Sequence, residues 1–269
     1  MSSDDDPLDR LGLELTGTGG GAGDRAGWIE VAGEARLDLD RQLRKGVPEV
    51  ILARGKGAGR LPALVEAMVQ HQGRALVSRM TLRQRRVITR MAFSAGLDYK
   101  GYGGAAIVAL PGRMQTELHP GRVALLTAGS SDLDCALEAR MVVEAAGLAC
   151  SVWADVGVAG LHRLVAPLAE LRALDPDAVI VAAGMDGALA SVVCGLVKVP
   201  VIGLPVATGY GLGGRGRAAL LSMLQTCSPG MAVVNIDNGI GAGAMAAAIA
   251  LRAAYREERR SRPRKATST

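Results

Sequence analysis

The sequence predicts an α/β protein built on a doubly wound parallel sheet, with a smaller α/β domain ahead of it. Three observations carry that expectation. Between residues 121 and 237, five short runs rich in Val, Ala, Ile and Leu alternate with helix-like stretches, the pattern of a parallel sheet with helical crossovers. Ahead of them, "PEVILA" and "RALVSRM" flank the amphipathic "RLPALVEAMVQHQG", a small strand, helix, strand unit. Aromatic residues make up only 3% of the chain while Ala, Val, Leu and Gly dominate, which suits closely packed helix and sheet layers and offers no stacking platform for single-stranded nucleic acid.

From the amino end, residues 1–27 finish in "TGTGGGAGDRAG" and hold too little apolar surface to offset the entropy of ordering, so a disordered leader is expected. The first domain is placed at 28–118. There "ARLDLDRQLRKG" reads as a helix or an extended segment, "RGKGAG" as a turn, and "TLRQRRVITRMAFSAG" as a helix or a ligand-facing basic surface. The turn-rich "ALPGRMQTELHPGR" holds the boundary. The second domain, 119–255, runs strand "GRVALLTAG", helix "LDCALEARMVVEAAG", strand "ACSVWADVG", helix "LHRLVAPLAELRAL", strand "DAVIVAAG", helix "ALASVVCGLVK", strand "PVIGLPV", a glycine-rich loop, helix "RAALLSMLQTC" and strand "AVVNID". The Ala-rich helix "GAMAAAIALRAAY" packs within the subunit or supplies an interface, and residues 256–269 read as a disordered basic tail.

With 269 residues and 49% hydrophobic content, the chain buries a sizeable core. The formal charge is +5, but the basic residues gather in "TLRQRRVITR" and "REERRSRPRK", leaving a nearly balanced body and no expected nucleic-acid partner. "MSSDDDPLDR" lacks the basic-then-apolar order of a signal peptide. No apolar run reaches the roughly 20 residues a membrane span needs, so a cytoplasmic location without membrane attachment is expected. The cysteines at 135, 150, 194 and 227 show no CxxC pairing and are expected as free thiols. With His71, His119 and His162 as the only histidines, a protein-built transition-metal site is not expected and metal ligands stay unassigned.

Doubly wound sheets place ligands at the carboxyl ends of their strands, which selects a set of candidate residues. Gly129, Ser130, Ser131 and Asp132 of "TAGSSD" stand between a strand and a helix, where amide N–H groups and hydroxyls can bind a phosphate or simply cap the helix. Asp155 ends the next strand, and His162 and Arg163 open the following helix. Asp186 sits at a helix start between glycines, a position that suits a cap and a catalytic carboxylate alike. "VATGYGLGGRGR" is neither a GxGxxG fingerprint nor a Walker A loop, yet Gly209, Tyr210 and Gly211 make a flexible, anion-friendly segment. Asn235, Asp237 and Asn238 follow the last strand. Core packing accounts for Cys135, Cys150 and Cys194. Cys227 differs: it ends a helix between Thr226 and Ser228, where no helix dipole activates a thiol, so it needs a local base or a very electrophilic target.

The segments "GSSD", "HR" after the next strand and "AGMDGALASVVCGLVKVPVIGLPV" resemble the aminoimidazole ribonucleotide carboxylase and mutase fold. A closer resemblance is to the LarB family, the pyridinium-3,5-biscarboxylic acid mononucleotide synthases of nickel-pincer cofactor synthesis. It is carried by "RKGVPEVILARGKG", "LLTAGSSDL", "DVGVAGLHRL", "VAAGMDGALASVVCGLV", "GYG", "ALLSMLQTC" and "VVNIDNGIGAG", in order from residue 44 to 243. The resemblance implies carboxylation of C5 of the pyridinium ring of nicotinic acid adenine dinucleotide by CO₂ or bicarbonate, with hydrolysis of the phosphoanhydride to release AMP. It implies Cys227 as the nucleophile at C4, Asp186 as the acid that moves the C5 proton or orients the ring, Asp155 or His162 as other candidates for that proton, and Mg²⁺ held largely by substrate phosphates. Lys56 and Arg79 of the first domain are candidate clamps on the dinucleotide, and an oligomer, up to the octamer of the ribonucleotide carboxylases, is implied as well.

Three features depart from the family pattern. Asp186 stands where glutamate is usual, the stretch after "GLP" reads Val206-Ala207-Thr208-Gly209-Tyr210-Gly211 where Thr-Ser-Val-Gly-Tyr-Gly is usual, and Gly57 replaces the threonine of a "GKT" turn. Two rival functions are a purine-pathway ribonucleotide carboxylase or mutase, which has no use for the first domain or a nucleophilic cysteine, and a non-catalytic nucleotide-binding protein using the basic tail.

Overall fold

Six consecutive buried residues, Ala178–Ala183, make the middle strand of a five-stranded sheet, and their unbroken apolar run is what a strand covered on both faces requires. The computed structural model describes residues 27–31, 35–57, 59–114 and 118–261, with side chains to residue 256. The expected leader up to residue 26 and residues 262–269 of the tail lie outside the described residues. The chain divides into two compact units, Met1–Lys100 with Ile107–Met114, and Gly101–Ala106 with Gln115–Thr269. No helix among the described residues is long and apolar enough to cross a membrane.

In the first unit, β1 (Trp28–Val31) and β2 (Ala35–Asp38) pair antiparallel, with the Arg36 guanidinium 4.6 Å from the Trp28 ring centre. The segment "ARLDLDRQLRKG" is both of its expected alternatives in turn: β2, then the short helix α1 (Arg41–Lys45). β3 (Val50–Leu52), α2 (Arg60–Gln72) and β4 (Arg74–Ser78) form the parallel strand, helix, strand unit, and α2 buries Leu61, Leu64, Val65, Met68 and Val69 at helical spacing. "TLRQRRVITRMAFSAG" is the helix α3 (Leu82–Ser94), because Thr81 and Gln84 form a reciprocal capping box at its start. β5 (Asp98–Tyr102) and β6 (Ala105–Ala109) complete a four-stranded sheet of order β3-β4-β6-β5.

The second unit is the doubly wound sheet. β7 (Arg122–Thr127), α4 (Leu133–Ala145), β8 (Ala149–Trp153), α5 (His162–Leu174), β9 (Ala178–Ala183), α6 (Ala188–Cys194), β10 (Val201–Pro205), α7 (Arg217–Leu224), β11 (Met231–Val233) and α8 (Gly239–Ser261) alternate along the chain. The five strands are all parallel in the order β11-β10-β9-β7-β8. The chain steps from β7 outward to β8 and then back across β7 to β9, so the topological switch point lies between β7 and β9.

α8 packs along α4, burying Ala242, Ala246, Ala247, Ala250 and Ala254, so its alanine stripe serves packing within the subunit. It also continues past residue 256 to Ser261, because "REERRS" is made of good helix formers rather than breakers. The helices approach closely at Gly239 and Gly243, where an added Cβ would press on the carbonyl oxygens of Cys135 and Ala139 respectively. Gly243→Ala would set a methyl 2.5 Å from that oxygen. The overpacking penalty of about 1–3 kcal/mol should exceed the roughly 1 kcal/mol gained in helix propensity. We therefore expect a lower urea midpoint at unchanged slope; an unchanged or higher midpoint would contradict the close packing.

Candidate functional site

The carboxyl edge of the second sheet is held together by one buried carboxylate. Asp132, 3% exposed at the end of the 3₁₀ turn Ser130–Asp132, accepts from the N–H of Gly129 at 2.8 Å through Oδ2 and from the N–H of Gly184 at 3.1 Å through Oδ1. Gly129 follows β7 and Gly184 follows β9, so the bridge spans the switch point. An added Cβ at Gly184 would come 2.5 Å from the Thr208 carbonyl oxygen and 3.0 Å from Asp132 Oδ1, so this close approach demands glycine. Burial pushes the Asp132 carboxyl up from its ordinary value, and hydrogen bonds from Gly129, Gly184 and the Thr208 side chain act against that rise.

Around this brace the loops interlock. Thr127, wholly buried at the end of β7, donates its hydroxyl to the Gly129 carbonyl at 3.0 Å and accepts from the Asp155 N–H at 3.1 Å. Met185 N–H donates to Thr208 at 2.9 Å, tying the loop after β9 to the loop after β10. Asp237 accepts from the Ala207 N–H at 2.8 Å and donates its own N–H to the Pro205 carbonyl at 2.9 Å, tying the loop after β11 to the end of β10. Asp155, Asp186 and Asp237, each just past a strand's carboxyl end, adopt left-handed backbone angles with φ of 58°, 66° and 58°. Aspartate tolerates that region better than most residues, and such strain concentrates at functional sites.

The candidates fall into three places. Gly129, Ser130, Ser131, Asp132, Asp155, His162, Arg163, Asp186, Gly209, Tyr210, Gly211, Asn235, Asp237 and Asn238 all lie on carboxyl-edge loops of the second unit or at the helix starts they feed. Ser130 and Ser131 are exposed there, as is His162 at the opening of α5. Arg163 reaches Asp155 at 3.0 Å in an exposed ion pair, the kind that contributes little to stability and leaves both groups free to meet a ligand. Asp186 accepts from the Ala188 N–H at 3.0 Å, so it caps α6 and yet stays exposed. Asn235 and Asn238 accept from the N–H groups of Ile236 and Gly241, shaping the turn into α8.

Lys56 and Arg79 belong to the first unit, at the carboxyl ends of β3 and β4. The Gln84 amide donates to the carbonyls of Ala53 and Lys56 at 2.9 and 2.7 Å, fixing the "RGKG" turn, and the Lys56 ammonium donates to the Leu52 carbonyl at 2.8 Å. At Gly57 an added Cβ would meet nothing within 4 Å, so the departure there removes a hydroxyl without relieving any crowding.

Cys227 stands apart from all of these. The helix before it ends at Leu224, and the turn is pinned by the Ser228 hydroxyl donating to the Ser191 carbonyl at 3.1 Å, with Cys194 Sγ 3.3 Å from the Pro229 carbonyl oxygen. Gly230 then accepts from the N–H of Val201, the first residue of β10, so the turn lies at the amino edge of the sheet. Cys227 is exposed, whereas Cys194 is buried and burial pushes the Cys150 thiol up to about 12. The sequence reading missed Thr127, Gly184 and Thr208. Their signal was position alone, each being the last residue of a strand or the first few beyond it.

An open parallel sheet with its polar loops gathered at the carboxyl edge, together with a match of residues 122–267 to the AIR carboxylase family, defines a carboxylase-type domain. Residues 29–101 match the LarB/PurE-like N-terminal domain, and the chain belongs to the LarB family. It is 38% identical over 222 residues to MJ0165 of Methanocaldococcus jannaschii, a protein described as uncharacterized, covering 82% of this chain and 86% of that one.

Two outcomes follow from the site. Asp132→Asn sets an amide donor against one of two N–H donors and should cost about 1–3 kcal/mol in chemical denaturation. Because the folded carboxyl is raised, the folded state holds more proton than the unfolded one between the ordinary and the raised value, so this group's contribution to stability falls as pH rises through that window. The advantage of wild type over Asp132→Asn should thus grow as pH is lowered from neutrality; a constant or shrinking difference would refute the raised value. In the native protein, iodoacetamide should label Cys227 well before Cys150, whose thiol pKa is raised, and Cys194, which is buried, as read by peptide mass spectrometry; prior labelling of either would contradict the placement.

Proposed function

We propose that this chain carboxylates C5 of the pyridinium ring of nicotinic acid adenine dinucleotide and hydrolyses its phosphoanhydride, giving pyridinium-3,5-biscarboxylic acid mononucleotide and AMP, a step of nickel-pincer cofactor synthesis. The observation that carries this is the pairing of a LarB-type N-terminal domain with an AIR carboxylase domain in one chain whose exposed cysteine lies in the "LQTCSPG" turn. A purine-pathway carboxylase accounts for neither the first domain nor the exposed thiol.

The chemistry suits a thiol with no built activator. The Cys227 thiolate adds to C4 of the cationic ring, forming a C–S bond and moving an electron pair onto the ring nitrogen, which becomes neutral. The resulting dihydropyridine is electron-rich at C5, which attacks CO₂; a C–C bond forms and the nitrogen regains its positive charge. Loss of the C5 proton to a base neutralises the ring again, and expulsion of the thiolate from C4 restores the aromatic pyridinium. No oxidant or reductant enters. Asp186 is assigned as the base or as the group that orients the ring, with Asp155 and His162 beside the same edge. Ser130, Ser131 and the N–H groups of their turn are assigned to phosphate, and the Gly209-Tyr210-Gly211 loop to the ribose and phosphate beyond it.

Mg²⁺, implied by the LarB resemblance, finds no ready protein cage: among the described residues no three His, Cys, Asp or Glu side chains come together to hold a metal, and Asp132 already has both oxygens engaged.

Purified protein incubated with nicotinic acid adenine dinucleotide, Mg²⁺ and ¹³C-bicarbonate should release AMP and a mononucleotide heavier by one labelled carboxylate, by mass spectrometry. Cys227→Ala should lose the labelled product. Folded wild type that makes none refutes the proposal, and full labelling by Cys227→Ala refutes the role of the thiol.

A further inference from the structure

Given the reaction proposed above, on which this contact rests, we infer that Thr208 is a ligand-binding residue that accepts a hydrogen bond from a ribose hydroxyl in the nicotinate half of the substrate. Thr208 follows β10 and stands beside the end of β9. A Cβ added at Gly184, just past β9, would lie 2.9 Å from Thr208 Cβ and 3.0 Å from Asp132 Oδ1, so the threonine and the carboxylate flank one point. The Thr208 carbonyl accepts the Met185 N–H at 2.9 Å, which holds the residue there. Its side chain bonds the buried Asp132 carboxylate, yet Thr208 itself is exposed. It stands between the brace and the open edge.

The direction of that bond decides what Thr208 offers a ligand. An ionised carboxylate only accepts, and Asp132 uses its two oxygens to accept the Gly129 and Gly184 N–H groups. A hydroxyl has one proton to donate and two lone pairs to accept with. Thr208 therefore gives its proton to Asp132 and keeps acceptor capacity alone. A phosphate or a ring carboxylate, being acceptors, gain no hydrogen bond from it and meet the Asp132 charge behind it. In the nicotinate half of the dinucleotide the phosphate and the carboxyl are ionised and the ring nitrogen bears no proton, so the ribose hydroxyls are its hydrogen-bond donors. A residue with only lone pairs to offer selects them. Gly209, Tyr210 and Gly211, assigned above to the ribose, come next in the chain.

The contact belongs to this chain's own variation. Across positions 206 to 208 the usual pattern puts hydroxyls on the first two residues and valine third, whereas here Val206 and Ala207 carry none and Thr208 carries one. Val206 is buried and the Ala207 N–H is tied to Asp237 at 2.8 Å. The hydroxyl of this stretch thus falls on its exposed residue.

Binding of substrate analogues tests this. Dissociation constants are measured by calorimetry in CO₂-free buffer for nicotinic acid adenine dinucleotide and for its 2′-deoxy and 3′-deoxy forms, altered in the nicotinate ribose. Wild type should bind at least one deoxy form about tenfold more weakly than the parent. Thr208→Val, which keeps the shape and loses the hydroxyl, should bind all three alike, and Thr208→Ser should keep the preference. A purely structural role would weaken all three ligands together and leave the preference intact. Equal binding of all three by wild type overturns the contact, whether or not the variants fold; so does a preference that persists in Thr208→Val or is lost in folded Thr208→Ser. The reaction is read separately. Wild type that shows the preference but releases no labelled product keeps the contact and refutes the chemistry, whereas labelled product from all three ligands at equal kcat/KM keeps the chemistry and refutes the contact. Failure of wild type to bind the parent dinucleotide overturns both.

Discussion

The carboxyl edge depends on the Asp132 carboxylate. A doubly wound sheet opens a crevice where its strand order reverses, and the loops bordering that crevice are joined by nothing in the sheet itself. Asp132 supplies the join, accepting one N–H from the loop after β7 and one from the loop after β9. Thr127, Thr208 and Asp237 extend the join to the neighbouring loops. Desolvating a carboxylate is costly, and two backbone donors offset much of that cost while fixing both loops in one geometry. The same residue that the motif "GSSD" offers as a ligand for substrate is therefore committed to scaffolding, leaving Ser130 and Ser131 as the exposed members of the turn.

That division of labour shapes the proposed chemistry. A reversible thiolate addition to a cationic ring asks for a thiol that also leaves readily, so Cys227 needs access and orientation more than activation. The structure provides an exposed thiol in a turn fixed by Ser228 and Pro229, and keeps the acidic groups on the opposite edge.

Much of the second unit was legible in the sequence because its physics is local and repetitive. Five apolar runs separated by amphipathic helices specify a parallel sheet, and a carboxyl-edge rule then locates Gly129, Asp155, Asp186 and Asn235 without coordinates. The first unit was less legible. β1 is only half buried, and β5 reads "DYKGY", with exposed alternate residues and no apolar run, although the Gly103-Gly104 pair between it and "AAIVA" is a two-residue hairpin signal. Of the site, residue types and their edge were readable, but hydrogen-bond partners were not. Nothing in "TAGSSD" tells that Asp132 faces Gly184, 52 residues later, and nothing in "LQTCSPG" tells that its turn rests on α6. Strand length and direction, rather than motif, decide that Cys227 and Asp186 lie on different edges.

The most direct test of the covalent chemistry is spectroscopic. Wild-type protein is titrated with nicotinic acid adenine dinucleotide in CO₂-depleted buffer, and the near-ultraviolet band of a 1,4-dihydropyridine is followed alongside the intact protein mass. The expected result is a band that grows with ligand, vanishes on dilution and is missing in Cys227→Ser, with a matching adduct on the cysteine peptide. Ligand binding measured independently, with no band and no adduct at any concentration, would contradict the account.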